Sequence, residues 1–149
     1  MNKQGRYQRI IEQLEELFIK TKDPISRMAT AASLLQNKFE YFSSTGFYRL
    51  VDDKLIVGPY QGLVACLVLK ENTGVCWHSI NTHKTVLVAD VHKFPGHIAC
   101  DSRSNSEVVV PIKDKSGKIV AVLDIDSTEL NAFDEEDAKG LEKIVEMIY

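Results

Sequence analysis

A cysteine in a polar loop offers the clearest chemistry in this sequence. Residues 95–107 read Pro-Gly-His-Ile-Ala-Cys-Asp-Ser-Arg-Ser-Asn-Ser-Glu and place the thiol of Cys100 close in sequence to His97, Arg103 and Glu107. The surrounding polar residues favour solvent access, and a neighbouring positive charge would favour the thiolate, which is the reactive form of cysteine. We therefore predict that Cys100 is a nucleophile at a small polar pocket.

Three carboxylates are predicted to meet on one face of a nearby hairpin. The turn residues Lys115-Ser116-Gly117 join two apolar segments, of which the first begins at Glu107 and the second carries Asp124 and Asp126. Side chains two residues apart on a strand point to the same face. Depending on which two turn residues form the tip, Glu107 pairs with Asp124 or with Asp126, and both registers gather the three acids. Such a cluster titrates as a coupled set with at least one raised pKa. The alternative is a solvated sheet edge on which the charges are harmless.

The cysteines admit two other interpretations. Cys66, Cys76 and Cys100 could bind zinc together with His97, but zinc sites usually contain a close Cys-x-x-Cys pair, which this sequence lacks. Packed core thiols are the second alternative. That interpretation fits Cys66, which lies within a predicted strand, better than it fits Cys100. We therefore predict no metal site and no bound cofactor.

The composition argues against several classes of function. The 149 residues are 44% hydrophobic and 26% charged, which is typical of one soluble globular domain. A net charge of −3 gives no reason to expect nucleic acid or an anionic membrane as a partner. No apolar run approaches the roughly 20 residues that a membrane span needs, and the N-terminus does not resemble a signal peptide. We expect a cytoplasmic protein with reduced cysteines.

Helices and strands must position these side chains. Apolar spacing predicts a helix over 6–20, and Asp23-Pro24 predicts the start of a second helix that ends near Lys38. We expect strands in a hairpin over 39–57, at 64–69 and 85–89, and in a hairpin over 107–126, a short helix over 75–82, a long connection over 90–106, and a C-terminal helix from Phe133-Asp134. These elements predict one α+β domain over residues 1–149, with N-terminal helices in 1–38 and the sheet, active-site loops and C-terminal helix in 39–149.

A series of short motifs follows in order from about Gly46 to the C-terminus. They are Gly58-Pro59-Tyr60-Gln61-Gly62, Ala65-Cys66, Gly74-Val75-Cys76, Ala89-Asp90-Val91-His92, Phe94-Pro95-Gly96-His97-Ile98-Ala99-Cys100-Asp101, Ser106-Glu107 and Val122-Leu123-Asp124-Ile125-Asp126-Ser127. Together they resemble the free methionine-(R)-sulfoxide reductases, which are single-domain enzymes of the GAF fold. The resemblance implies a central antiparallel sheet flanked by N-terminal and C-terminal helices.

The resemblance implies a thiol-dependent oxidoreductase. The thiolate of Cys100 would attack the sulfur of free methionine-(R)-sulfoxide and become a sulfenic acid. Cys66 would resolve this acid as a disulfide, with Cys76 as an alternate relay, and a thioredoxin-type reductant would regenerate the thiols. The family also implies a homodimer, to which the amphipathic first helix could contribute.

The acids and the aromatic residues would bind the substrate. A neutral carboxylic acid among Glu107, Asp124 and Asp126 would protonate the sulfoxide oxygen, and one or more of the three would bind the amino group. In the family a tryptophan commonly stands ahead of the Gly-Phe-Tyr that is Gly46-Phe47-Tyr48 here, whereas this chain has Ser43-Ser44-Thr45. The substrate methyl group would then contact Tyr48, Tyr60 or Trp77.

A sensory GAF module that binds a small molecule without catalysis is the alternative function. Such modules usually accompany an output domain, and this chain has no room for one. A stand-alone sensor would gain little from three cysteines at these spacings, so the spacing favours the enzyme.

Overall fold

Two helices, α1 and α2, occupy the N-terminal quarter of the chain. The computed structural model describes residues 2–97 and 99–149, and places α1 at Lys3–Leu17 and α2 at Pro24–Lys38. A short 3-10 turn at Phe18–Lys20 follows α1. The side chain of Asp23 accepts a hydrogen bond from the Ser26 amide, so the predicted cap of α2 is confirmed.

The described residues contain six strands, which form one antiparallel sheet. Their bounds are β1 Ser44–Val51, β2 Lys54–Gly62, β3 Val68–Leu69, β4 Val86–Val88, β5 Ser106–Lys113 and β6 Ile119–Ser127. Their order in space is β3-β2-β1-β6-β5-β4. Helix α3, Gly74–Thr82, lies between β3 and β4 in sequence, and α4, Glu135–Val145, follows β6. The predicted α+β architecture is confirmed.

The predicted strand over 64–69 is wrong for most of its length. Strand β3 contains only Val68–Leu69, so Cys66 lies in the loop that follows β2. Gly62 ends β2 with a φ of 95°, which turns the chain away from the sheet. The apolar side chains of Val64 and Leu67 are 72% and 75% exposed. The apolar run that predicted a buried strand therefore belongs to an exposed loop.

The sheet separates two apolar layers. On one face, Phe47 and alternate residues of β5 and β6 pack against α1, α2 and α4. On the other face, Tyr48, Val109 and Val122 pack with residues of α3. Because side chains alternate along a strand, the carboxylates of β5 and β6 that lie two residues from Val109 and Val122 face the α3 side.

Helix α1 is anchored within the chain. Its buried residues Ile10 and Leu14 belong to the same apolar layer as α4. Buried Asp137 of α4 accepts hydrogen bonds from the Tyr7 hydroxyl at 2.7 Å and the Lys3 ammonium at 2.7 Å. The apolar stripe of α1 therefore packs inside the chain. The homodimer stays a prediction.

Within residues 2–97 and 99–149, none of the helices has the length and apolar character needed to cross a bilayer.

Candidate active site

A small cavity opens on the α3 side of the sheet. Its volume is about 190 Å³, below the range of roughly 300–1,000 Å³ of pockets for drug-sized ligands. The predicted site residues that line it are Tyr48, Cys66, Cys76, Cys100, Glu107, Asp124 and Asp126, together with His97 and Tyr60. Residues far apart in sequence thus meet around a space suited to a small metabolite. Ile98, within the Gly-His-Ile-Ala-Cys-Asp motif, lies outside the described residues.

A disulfide between Cys66 and Cys100 lies at the cavity. It joins the loop after β2 to the long loop before β5, and the two Cα atoms are 5.3 Å apart. Cys100 is exposed and Cys66 is half-buried. The pairing is the one that the sequence resemblance implies, and it excludes both sulfurs as metal ligands in this oxidised state.

The third cysteine, Cys76, is a free thiol in α3 and is only 4% exposed. Burial raises the pKa of the Cys76 thiol, and the negative charges of Asp124 and Glu107 raise it further. The thiol is therefore protonated near neutral pH. A protonated and buried sulfur is a poor nucleophile.

The hairpin adopts the second of the two predicted registers. Glu107 of β5 lies opposite Asp126 of β6, and Asp124 lies opposite Val109. A register shift between Ile112 and Lys113 allows the turn to close. The three carboxylates share the cavity face, as the alternation of side chains predicts.

Burial raises the pKa of each acid in this cluster, and repulsion from Asp124 raises the pKa of Glu107 and Asp126 further. For Glu107, burial and the charge of Asp124 both act upward. For Asp126, burial and the charge of Asp124 outweigh a 3.0 Å hydrogen bond from the Ser44 hydroxyl. Burial also raises the pKa of Asp124, but hydrogen bonds from Glu107 and Cys76 oppose the increase. Asp124 therefore holds its charge best, and a proton resides more readily on Glu107.

His97 extends the cluster without neutralising it. Its Nδ1 atom lies 3.9 Å from Oε1 of Glu107. Burial lowers the pKa of His97, so the imidazole is neutral at pH 7. Its Nε2 atom is buried and has no hydrogen-bond partner within the described part of the chain. His97 can therefore donate or accept a hydrogen bond in the cavity without supplying a positive charge.

Arg103 does not assist the thiol as the sequence suggested. Its guanidinium binds the carboxylate of Asp101 through two hydrogen bonds of 2.9 and 2.7 Å. These bonds hold the pKa of Asp101 at about 2, and the Arg103 side chain is 65% exposed. Arg103 thus stabilises its own loop and is not among the residues that line the cavity.

The aromatic residues divide into two groups. Tyr48 and Tyr60 line the cavity, and burial beside Asp124 raises the pKa of Tyr48, so its hydroxyl stays protonated. Trp77 was predicted to contact the substrate, but it packs in the apolar layer between α3 and the sheet and is not among the residues that line the cavity. Neighbouring residues on a helix point in directions about 100° apart. With Cys76 facing the cavity, Trp77 faces the core.

Ser44 is the site residue that the sequence analysis missed. It lies opposite Asp126 in the β1–β6 pairing and donates its hydroxyl hydrogen to that carboxylate. The only signal in the sequence is its position two residues before Gly46. Its role becomes visible once β1 is known to pair with β6.

Comparisons with known proteins agree on one family. The GAF domain family matches residues 22–148. GAF domain-containing protein A of Dictyostelium discoideum is 41% identical over 149 residues, covering 99% of this chain and 92% of that protein. The free methionine-R-sulfoxide reductase of Escherichia coli (strain K12) is 38% identical over 145 residues, covering 97% and 87%.

A solved structure gives the same result. The X-ray structure of free methionine-R-sulfoxide reductase from Neisseria meningitidis in complex with its substrate superposes with a TM-score of 0.93. The two sequences are 35% identical, and the alignment covers 99% of this chain and 89% of that chain. The similarity therefore includes α1 and α2 as well as the sheet.

Proposed function

The chain belongs to the GAF-domain family of free methionine-R-sulfoxide reductases, and on that premise we propose that it reduces free methionine-(R)-sulfoxide to methionine. The observation that carries the proposal is that exposed Cys100, bonded to Cys66, shares one small cavity with buried Glu107 and half-buried Asp124 and Asp126. Reduction of a sulfoxide needs a nucleophile for the sulfur, a proton for the oxygen and a partner for the amino group. The cavity has a group for each.

The first step forms an S–O bond and breaks another. The thiolate of reduced Cys100 attacks the substrate sulfur. The oxygen takes up one proton and passes to Sγ of Cys100 as the transient S–S bond and the substrate S–O bond break, which gives cysteine sulfenic acid. The substrate sulfur gains two electrons and the sulfur of Cys100 loses two, so free methionine is released. The exposure of Cys100 supports this role, because the thiol must reach a dissolved substrate.

Glu107 is the proton donor in this proposal. Burial and the adjacent charge of Asp124 raise the pKa of Glu107, which favours its protonated form. Asp124 accepts hydrogen bonds from Glu107 and Cys76 and remains the best anion of the cluster. We assign Asp124, with Asp126 beside it, to the ammonium group of the substrate. The hydroxyl groups of Tyr48 and Ser44 complete the polar wall.

The second step closes the observed disulfide. The thiol of Cys66 gives up its proton, its sulfur attacks the sulfenic sulfur of Cys100, and the sulfenic hydroxyl leaves with that proton as water, so that the Cys66–Cys100 bond forms. Cys76 is a weaker candidate, because its thiol is buried beside negative charges that oppose ionisation. Reduction of the disulfide needs two electrons and two protons from a thioredoxin-type dithiol. Such a reductant favours the cytoplasm, and a homodimer is compatible with the proposal but plays no part in it.

The test is substrate selection under turnover. Reduced protein with a thioredoxin-type reductant should consume the R epimer of free methionine sulfoxide and leave the S epimer. Methionine sulfoxide within a peptide should be a poor substrate, because a cavity of about 190 Å³ lined by acids suits a small zwitterion. Cys100→Ser should show no turnover.

Two outcomes would refute the proposal. One is failure to consume the R epimer when all thiols are intact. The other is tight binding of the R epimer without thiol loss, which would indicate a GAF sensor instead of an enzyme.

A further inference from the structure

A free thiol lies beside two carboxylates within the cavity. The sulfur of Cys76 and one carboxylate oxygen each of Glu107 and Asp124 all lie within 4.8 Å of one another. Cys76 takes no part in the disulfide, so its sulfur remains available when Cys66 and Cys100 are oxidised. The proposed reaction uses the two acids and leaves this thiol without a required role.

In the described part of the chain, no lysine or arginine lies against the two carboxylates. Oε1 of Glu107 and Oδ1 of Asp124 are buried, and no donor from outside the cluster reaches either atom among residues 2–97 and 99–149. The Glu107 side chain is only 6% exposed, and Nδ1 of His97 lies 3.9 Å from Oε1 of Glu107, which is beyond hydrogen-bond distance. Within the same residues, no lysine or arginine forms a salt bridge with either acid. Buried anions are normally paired with cations or bound to metal ions.

We propose that Cys76, Glu107 and Asp124 form a binding site for a thiophilic divalent cation of the Zn²⁺ type. Thiolate sulfur and carboxylate oxygen are both zinc ligands, and three protein ligands leave one coordination position open. Tetrahedral zinc with such ligands needs separations of about 3.6 Å, so the ligand atoms have to approach one another by about 1 Å. Binding releases the thiol proton of Cys76, and any proton shared by the two acids, to solvent.

A metal ion bound at this site would compete with the substrate. The same carboxylates are assigned to the proton and the ammonium group of the substrate, so the metal and the amino acid exclude each other. This consequence rests on the proposed function, whereas the metal site itself does not.

The experiment uses the oxidised protein, in which the Cys66–Cys100 bond removes two sulfurs as ligands. Cd²⁺ is titrated while the thiolate-to-cadmium charge-transfer absorbance is recorded, and Zn²⁺ binding is measured by equilibrium dialysis. We expect one metal ion per chain and the absorbance of one thiolate. Cys76→Ser should abolish the charge-transfer band and weaken Zn²⁺ binding at least tenfold, and Glu107→Gln should weaken it as well. Glu129→Gln, at an exposed acid outside the cavity, should bind like the unchanged protein.

Several results would overturn the metal site. They are the absence of binding to the oxidised protein, binding without a thiolate band, and a band that persists in Cys76→Ser. Cys76→Ala provides a second variant, and circular dichroism checks that each variant is folded. Saturating free methionine should displace the metal. If Zn²⁺ binds equally well with methionine present, the mutual exclusion is wrong but the metal site stands. If the protein shows no reductase activity, the proposed function is wrong but the binding result is unaffected.

Discussion

Glu107 lies where burial and a neighbouring charge both favour its protonated form. Its side chain is 6% exposed, and the charge of Asp124 adds to the effect of burial. A carboxylic acid kept neutral in this way can protonate a leaving oxygen at pH 7. The assignment of the proton donor therefore depends on the environment of a single residue.

The first prediction concerns Glu107→Gln, which keeps the shape of the side chain but cannot supply a proton. We expect kcat/KM to fall about 10²–10⁴-fold, the usual contribution of a general acid. The unchanged enzyme should lose activity as the pH rises through the raised pKa of Glu107, and the variant should lack this dependence. Stopped-flow single-turnover rates across the pH range measure both. Glu129→Gln is the matched control, and a variant with the full rate would contradict the assignment.

The second prediction concerns Asp126→Asn and stability. Because the pKa of Asp126 is raised in the folded protein, the folded state binds the proton more tightly than the unfolded state. Its contribution is present below the ordinary pKa of 3.8 and is lost as the pH rises through the raised value. The asparagine variant should therefore be more stable than the unchanged protein at pH 8, by about 0.5–2 kcal/mol, and no more stable at pH 4.

Urea unfolding at the two pH values checks this prediction. The asparagine oxygen can still accept the hydrogen bond from Ser44, so the comparison isolates the charge. A variant that is less stable at both pH values would show that the carboxylate stabilises the fold.

At the scale of elements, the loop after β2 carries Cys66 to the cavity, and Gly62 directs it there. Gly62 has a φ of 95°, and a Cβ at this position would collide with the carbonyl oxygen of Ser43. The loop therefore depends on both the backbone conformation and the close approach of two chain segments.

The third prediction compares Gly62→Ala with Gly117→Ala. Gly117 has a similar φ of 87°, but a Cβ there would meet nothing within 4 Å. Gly117→Ala should cost only the backbone strain, about 1 kcal/mol, whereas Gly62→Ala should cost more and slow formation of the Cys66–Cys100 disulfide. Urea unfolding and thiol counting after mild oxidation measure the two effects. Equal costs for the two variants would show that the contact at Gly62 is unimportant.

Sequence patterns predicted some elements well because their signals are local. The cap at Asp23 predicted the start of α2. The alternation along β6 predicted that Asp124 and Asp126 share one face of the sheet. No local pattern indicated the loop conformation of Cys66 or the partner of Arg103. The first depends on Gly62 leaving the sheet, and the second depends on a side-chain ion pair.

The site also depends on contacts between distant strands, which no local pattern reports. Ser44 meets Asp126 only because β1 pairs with β6, and Trp77 misses the cavity because of the rotation of α3. The family resemblance supplied what the patterns did not, since it implied that Cys66 would pair with Cys100.

At the scale of the whole molecule, the sheet separates the cavity from a helical layer with its own polar anchor. Asp137 is fully buried and accepts hydrogen bonds from Tyr7, Tyr41 and Lys3. The anchor joins the two ends of the chain on the face opposite the cavity. Stability and catalysis can therefore be changed separately.

The fourth prediction concerns Tyr41→Phe, which removes one donor to the buried carboxylate. We expect the free energy of unfolding to fall by about 1–3 kcal/mol, because Asp137 loses a hydrogen bond that water cannot replace. Reductase activity should be unchanged below the unfolding transition. Gln8→Ala, which removes an exposed hydrogen bond to Glu12, is the control and should change stability by less than about 0.5 kcal/mol. Loss of activity in folded Tyr41→Phe would contradict the separation of the two layers.

The proposed mechanism depends on oxygen passing from the substrate to the sulfur of Cys100. The most direct measurement is a single turnover of reduced Cys66→Ser with free methionine-(R)-sulfoxide and no reductant, followed by mass spectrometry after trapping with a sulfenic-acid reagent. We predict one methionine per chain and one trapped sulfenic acid, located on Cys100. Methionine formed without an oxidised Cys100, or a sulfenic acid on Cys76 instead, would contradict the account.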